Sequence, residues 1–221
     1  MIDKIIDYIE KNRVSTTEIA DALGKKGKFS SLNSLNKNIH LVGKIKTIFA
    51  SDESNYYVHK EIVDVQKNDV VQIFTHNCKD RAIIGDLICK YLILYKQAKG
   101  IIVDGNIRDY QRIKKEGYPL WYKGVNPIGC VNNKRKSFPL NKKNSYKKKY
   151  DNAIAICDDG GVVIIDNSNI NKNLLDKLAY IEGLEDIWYY CLDHLKMSTY
   201  DIVCKKKYLK NKSIPKTLKK I

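Results

Sequence analysis

Apolar and polar residues alternate along the chain with two different periods. In the first ten residues, isoleucines recur on one face at helical spacing, which predicts a short amphipathic helix that ends near Glu10. A capping box from Ser15 to Glu18 predicts a second helix over residues 16–23, because serine and glutamate side chains there satisfy free backbone N–H groups. The pair also permits a helix-turn-helix interpretation, but the following KFSSLNSLNKN is a poor recognition helix.

From residue 41 the period changes to short runs rich in β-branched and aromatic residues, bounded by Gly, Asn or Asp. Helices are predicted between them, over residues 57–65, 81–97 and 108–116. Strands that alternate with helices predict an α/β domain, and continuously apolar runs predict strands covered on both faces. The runs predicted as strands are LVGKIKTIFA, VVQIFT, GIIVDG, YPLWYK, NAIAIC and GVVIID.

The last part of the chain returns to helical spacing. Apolar residues from Leu174 to Leu195 line one face of a long predicted helix, with Gly183 as a candidate bend, and a short terminal helix follows at Ser198 or Thr199. We therefore predict an α/β domain with an N-terminal helical pair over residues 1–170, and a C-terminal helical extension with a basic tail over residues 171–221. The pattern leaves open whether the extension closes the subunit's own core or packs on a neighbouring subunit.

Composition narrows the class of protein. The chain has 221 residues, of which 43% are hydrophobic, and no run of about 18 apolar residues that would predict a membrane span. Acids within the apolar stripe of MIDKIIDYIEKNR argue against a secretory signal, so we expect a cytoplasmic protein. The six cysteines are spread singly, without zinc-ligand spacing, which predicts buried free thiols in a reducing compartment.

The formal net charge of +15 suggests a nucleic-acid partner, but the excess is almost entirely lysine. Arginine, the preferred reader of phosphates and guanine edges, is scarce, and lysine is accompanied by abundant asparagine, isoleucine and tyrosine, as in a coding bias. The composition therefore argues against a nucleic-acid partner. The two densest lysine clusters, at residues 134–149 and 205–220, are predicted to be a solvated loop and a frayed tail.

Candidate chemistry lies between residues 85 and 109. Gly85 precedes a helix that starts at Asp86, so a ligand can approach the backbone there and the free N–H groups attract an anion. Arg108 and Asp109 follow a buried strand and provide a fork for a carboxylate and an oxygen ligand for a divalent metal. Alternatively, this pair only caps the next helix, with Arg108 bound to Asp109 or Asp104 on the surface. Spacing alone does not decide between the ligand-site and the helix-cap interpretations.

These motifs resemble the RraA-like family, which includes the class II 4-hydroxy-4-methyl-2-oxoglutarate/4-carboxy-4-hydroxy-2-oxoadipate aldolases and the regulator of ribonuclease activity A. The resemblance extends from Val14 to about Asp166. It implies a swivelling β/β/α-type domain that assembles as a homotrimer or homohexamer. The motifs are a Gly-acid-Leu helix start at residues 85–87, V-D-G-x-x-R-D at 103–109, G-Y-P-L at 117–120 and G-x-x-P at 124–127.

The resemblance also implies roles for individual residues. Arg108 would bind the substrate carboxylate and stabilise negative charge, Asp109 would ligate Mg²⁺ or Mn²⁺, and Asp86 would hold metal-bound water. The substrate would be a small 2-oxo acid, and retro-aldol cleavage or oxaloacetate-type decarboxylation would leave a metal-stabilised pyruvate enolate. The backbone cradle for the pyruvyl group would consist of Gly85, Asp86, Leu87 and Ile88.

The chain differs from the family pattern in two places near these residues. The segment between Asp86 and Arg108 is one residue longer than usual, and Arg112 stands where the family often has an acid. A cation there would weaken metal binding or suit a more acidic substrate. Two other functions stay open: a non-catalytic regulator that binds a ribonuclease, and nucleic-acid binding through the lysine clusters.

Overall fold

A computed structural model describes residues 1–215, 217 and 218 of the chain. The chain divides into two compact units, Met1–Ile170 and Asn171–Ile221. The strands of the first unit are β1 (Asn33–Ser34), β2 (Leu41–Ser51), β3 (Val70–His76), β4 (Ala82–Ile84), β5 (Gly100–Ile107), β6 (Leu120–Val125), β7 (Ile154–Asp158) and β8 (Gly161–Ile165). Its helices are α1 (Ile2–Asn12), α2 (Thr16–Ala22), α3 (Tyr56–Glu61), α4 (Asp86–Lys90), α5 (Tyr110–Lys115) and α6 (Leu140–Tyr150).

All eight strands belong to one mixed sheet with the order β1-β6-β5-β3-β2-β7-β8, and β4 pairs with the end of β5. Strands β2, β3, β5 and β6 run parallel, whereas β1, β7 and β8 pair antiparallel with their neighbours. Successive side chains of β5 enter different cores: Ile101 and Val103 join one apolar cluster and Ile102 another. The apolar run GIIVDG therefore forms a strand covered on both faces, as predicted, and the α/β class is confirmed.

The N-terminal helices form as the pattern predicts. The Glu18 N–H donates to Ser15 Oγ at 3.2 Å, and the Ser15 N–H donates to Glu18 Oε2 at 2.7 Å, which completes the capping box. No recognition helix follows, because residues 24–40 contain no helix and part of them forms β1. The helix-turn-helix interpretation is therefore wrong.

The helix predicted over residues 81–97 starts too early. Residues Ala82–Ile84 form β4, whose backbone groups find their partners far along the chain: the Arg108 N–H donates to the Ile84 carbonyl and the Cys130 N–H to the Ala82 carbonyl. The helix begins at Asp86 and continues past Lys90 as a π-helical turn over Tyr91–Tyr95. Pattern alone could not distinguish a short buried strand from the first turn of this helix.

Both predictions for the lysine clusters need correction. Residues 140–150 form α6 rather than a loop, because Tyr146 and Tyr150, one turn apart, both pack on Phe74. Residues 205–215 are not a frayed tail, since Tyr208 and Ile214 are buried in the apolar cluster of the second unit. The remaining positions of the lysine cluster at 205–220, residues 216, 219 and 220, lie outside the described residues.

The second unit is built on α7 (Lys172–Asp193), which continues through Gly183 without a break in the helix. The side chain of Asn171 caps its start by accepting the Leu174 N–H at 3.1 Å. The short helix predicted after Ser198 is a π-helical turn over Tyr200–Cys204, followed by a 3-10 turn over Lys207–Lys210. In the part of the chain that the structure describes, no helix is both long enough and apolar enough for a lipid bilayer.

Candidate functional site

The candidate site forms where the chain leaves β4 and β5. These two strands are parallel, so their carboxyl ends lie at the same edge of the sheet and bring Gly85 beside Arg108. A backbone hydrogen bond of 3.0 Å from the Arg108 N–H to the Ile84 carbonyl fixes this contact. Two turns that are more than twenty residues apart in sequence thus meet across one pair of strands.

Asp109 adopts a left-handed backbone conformation at the start of α5. Its φ of 56° and ψ of 30° lie in a region that aspartate tolerates better than most residues and that several other non-glycine residues of the chain also adopt. The Asp109 side chain does not cap α5. Instead its Oδ2 accepts the backbone N–H of Asp86, the first residue of α4, at 3.2 Å. The Asp109 carboxylate therefore belongs to the Gly85–Asp86 turn. The alternative interpretation is wrong in its side-chain cap of the next helix, whereas the ion pair that it predicted between Arg108 and Asp109 is present.

Glycines make room for these side chains on two sides. A Cβ atom at Gly85 would lie 2.3 Å from Asp109 Oδ2 and 3.1 Å from Arg108 Nε, and one at Gly129 would lie 2.7 Å from Arg108 Nη1. The φ of Gly85 is −132°, which any residue can adopt, so the requirement for glycine there is steric. The Arg108 side chain therefore passes between Gly85 and Gly129, two positions that have no side chain.

Two arginines balance the two carboxylates of the site. Arg108 Nε lies 3.6 Å from Asp109 Oδ2, and Arg112 Nε lies 3.0 Å from Asp86 Oδ2. The Arg112 cation, which the sequence led us to expect near the presumed metal, thus forms a direct ion pair with Asp86. The Arg112 side chain is 73% exposed, and pairs this exposed are worth only about 0.2–1 kcal/mol. A ligand or metal ion can therefore replace the arginine at Asp86 at small cost.

A cleft of about 100 Å³ opens beside Arg108. The predicted backbone cradle, residues 85–88, forms one wall, and Ile88 is buried whereas Leu87 is 74% exposed. Sequence reasoning did not identify the residues of the opposite wall, which come from the start of α3 and from the segment after β6. These include Asn55, His59, Cys130 and Asn132.

The sequence of α3 contains no motif that indicates a site. Its residues come close to the cleft only when β2, β3 and β5 pair side by side, and a local pattern does not show this. Asn55 is buried, and its Nδ2 donates to the Ile83 carbonyl at 3.2 Å. His59 lies one helical turn later and also lines the cleft, and partial burial of its ring lowers the pKa of the imidazole. The neutral ring is therefore favoured near pH 7.

A salt-bridge network supports the wall around Gly129. Arg81 Nη1 donates to the Gly129 carbonyl at 3.0 Å, while its Nε binds Glu53 at 2.6 Å. Lys79 binds the other oxygen of Glu53 at 2.7 Å. Hydrogen bonds from Lys79 and then Arg81 lower the pKa of Glu53 to about 2. The network fixes the Gly129 backbone against which Arg108 lies.

The two carboxylates can serve a hard divalent cation. Mg²⁺ is usually held by one or two carboxylates and keeps several water ligands, so the oxygens of Asp86 and Asp109, which are 30% and 37% exposed, fit its chemistry. Among residues 1–215, 217 and 218, no group of three or more His, Cys, Asp or Glu residues could hold a metal. The remaining ligands would therefore be water or substrate.

Comparison with known proteins identifies the family. The family model for RraA-like proteins, described as Aldolase/RraA, matches residues 16–164. The chain belongs to the RraA-like family. The resemblance seen in the sequence motifs is thereby confirmed, and this family holds both aldolases and ribonuclease regulators.

Two curated proteins are similar to this RraA-like chain. A Halalkalibacterium halodurans protein named "Putative 4-hydroxy-4-methyl-2-oxoglutarate aldolase" is 33% identical over 122 residues, which cover 54% of this chain and 58% of that protein. Protein DlpA of Legionella pneumophila is 25% identical over 183 residues, which cover 77% of this chain and 29% of DlpA. The chain thus matches little more than half the length of the first relative and under a third of the second.

Solved structures share the fold. Streptomyces coelicolor RraAS2, described as an unusual member of the RNase ES inhibitor RraA protein family, superposes with a TM-score of 0.64 at 19% identity, over 83% of this chain and 93% of that one. An uncharacterised Pseudomonas syringae protein has a TM-score of 0.67 at 18% identity, over 90% and 96% of the two chains. At these sequence identities the superpositions establish that the chain has the RraA-like fold. They do not establish its activity, which has to be argued from the candidate site.

Proposed function

We propose that this RraA-like chain is a divalent-metal-dependent lyase that acts on a small 2-oxo acid. The reaction would be retro-aldol cleavage that releases pyruvate, or decarboxylation of an oxaloacetate-type substrate. The observation that carries the proposal is the convergence of Asp86, Arg108 and Asp109 on the Gly85 turn, at the edge of a cleft. The similarity to the Halalkalibacterium protein supports the same class of reaction.

The chain provides an anion-binding wall for the carboxylate of the substrate. Arg108 lines the cleft, and its planar guanidinium matches a carboxylate with two parallel hydrogen bonds. The N–H groups of Leu87 and Ile88 lie in the first turn of α4, where no intrahelical partner exists, and free amides at a helix start attract an anion. Asp109 occupies the Asp86 N–H, so the Leu87 and Ile88 amides are the ones left for substrate.

Mg²⁺ or Mn²⁺ would be held by Asp109 directly and by Asp86 through water, and when bound would polarise the 2-oxo group. Arg108 would stabilise the negative charge that develops as the enolate forms, since it lies beside the position of the carboxylate. Arg112 would have to give up Asp86, or share it, when a cation binds. No lysine Schiff base is required for this chemistry.

The test is pyruvate release from a panel of 4-hydroxy-2-oxo acids and from oxaloacetate, with Mg²⁺ or Mn²⁺. Arg108→Ala should lower kcat/KM by about a hundredfold or more, as for loss of a preorganised transition-state contact. Asp109→Asn should weaken metal binding and abolish the metal-dependent release of pyruvate. The matched control is Asp104→Asn, which removes an acid of β5 that pairs with Lys123 and does not line the cleft.

A protein that releases no pyruvate from any of these substrates, with metal binding unchanged in Asp109→Asn, would refute the proposal. A ribonuclease that binds the chain equally well after Arg108→Ala would favour the regulator function. We further propose that the chain assembles as a homotrimer or homohexamer, which light scattering coupled to size-exclusion chromatography measures directly.

A further inference from the structure

Asn55 has a buried acceptor without a partner in the wall of the candidate cleft. The residue is 8% exposed, and its Oδ1 has no hydrogen-bond partner among the described residues. Buried side-chain oxygens are usually satisfied, and an unsatisfied one destabilises the fold unless a ligand or water completes it. Asn55 lines the same cleft as Gly85 and Arg108.

The orientation of the Asn55 amide is determined by its surroundings. Its Nδ2 donates to the Ile83 carbonyl, so the Oδ1 must be the free end. The backbone is held as well, because the Asn55 N–H donates to the Val131 carbonyl at 3.1 Å and the His59 N–H donates to the Asn55 carbonyl at 3.0 Å. The free acceptor therefore has a fixed position. Gln72, Asp104 and Trp188 also carry buried atoms without a hydrogen-bond partner, although Asp104 forms an ion pair with Lys123, and none of the three lines this cleft.

We propose that Asn55 is a specificity-determining residue whose Oδ1 accepts a hydrogen bond from a hydroxyl group of the 2-oxo acid bound at Arg108. This inference rests on the proposed function and selects between its two reactions. A hydroxyl can donate to Oδ1, whereas the second carboxylate of ionised oxaloacetate offers no donor. A site with a buried acceptor discriminates against an analogue that lacks the donor, because the acceptor is then left unpaired. The hydroxy-2-oxo acid is therefore the preferred substrate.

The experiment compares two ligands that differ by one hydroxyl, 4-hydroxy-2-oxoglutarate and 2-oxoglutarate. Their affinities for the Mg²⁺-loaded protein are measured by calorimetry, at low temperature and short times so that turnover is limited. The wild-type chain should prefer the hydroxylated ligand by about tenfold, the ratio expected for one satisfied buried acceptor. Asn55→Leu, which removes the acceptor, should bring the ratio close to one.

Two further variants separate recognition from structure. Asn55→Asp retains an acceptor oxygen but loses the donor to Ile83, as Asn55→Leu does, and should keep the preference even though both affinities fall. Asn132→Leu changes an exposed asparagine of the same cleft and should leave the ratio at the wild-type value. An equal loss of preference in Asn55→Leu and Asn55→Asp would overturn the inference, since the bond to Ile83 would then be the cause.

Equal wild-type affinity for the two ligands would also overturn it. Because the affinity ratio is read without turnover, it is independent of the proposed reaction. A chain that shows an Asn55-dependent preference but releases no pyruvate would support the role of Asn55 and refute the lyase activity.

Discussion

Replacement of Gly85 by alanine tests the geometry of the site with a single methyl group. The new Cβ would lie 2.3 Å from Asp109 Oδ2, so the carboxylate would have to retreat by about 1 Å to reach an ordinary contact of 3.4 Å. The Arg108 side chain would be displaced less, from contacts of 3.1 Å. A misplacement of about 1 Å at a catalytic group costs on the order of a hundredfold in rate.

The stability of the fold should change little in Gly85→Ala. Loss of the hydrogen bond from the Asp86 N–H to Asp109 costs about 1 kcal/mol. An alanine in an extended conformation stabilises the fold by about 0.4–1 kcal/mol, because it reduces the conformational entropy of the unfolded chain. The two effects nearly cancel, and we expect a Tm within about 4 °C of the wild type.

The assays for Gly85→Ala are Mn²⁺ affinity by calorimetry, kcat/KM for pyruvate release, and the amide proton resonance of Asp86, which reports the bond to Asp109 whether or not the chain is an enzyme. The control is Gly124→Ala, whose Cβ would meet the side-chain oxygen of Asn106 at 2.7 Å, away from Arg108. Wild-type Mn²⁺ affinity together with an unchanged Asp86 resonance in Gly85→Ala would refute the reasoning.

Three further predictions concern charge and thiols. Arg112→Gln should tighten Mg²⁺ or Mn²⁺ binding by about 1.4- to fivefold, because an exposed pair with Asp86 worth about 0.2–1 kcal/mol no longer competes; calorimetry that shows weaker binding would contradict this. The pKa of Glu53 falls on folding from 4.5 to about 2, so its stabilising contribution is present above pH 4.5 and is lost as the pH falls towards 2. Urea unfolding between pH 5 and 3 should show a smaller loss of stability in Glu53→Gln, and an identical loss would contradict it. Cys204 is exposed and should be alkylated rapidly by iodoacetamide in the native state, whereas Cys157 is fully buried with a raised pKa and should react only on unfolding; mass spectrometry of the peptides decides.

Local pattern predicted the elements whose formation depends on nearby residues. The run GIIVDG became β5, and the capping box at Ser15 opened α2, because apolar period and hydrogen-bond geometry act over a few positions. The errors fell where partners are distant. Residues 82–84 became a strand because their backbone groups bond to residues 108–130, and residues 140–150 became a helix because two of its tyrosines pack in an aromatic cluster.

The sequence by itself determined which residue types were available for chemistry and which strand ends they follow. Parallel strands place their carboxyl ends at one edge of the sheet. Gly85, Arg108 and Asp109 could therefore be expected to meet. Only the tertiary structure decided that the Asp109 carboxylate turns to the start of α4, that Arg112 binds Asp86, and that Asn55 lines the cleft and carries a buried acceptor without a partner. These contacts depend on one left-handed φ angle and on distances between side chains of separate segments. Strand pairing and packing determine those distances, and no local pattern contains them.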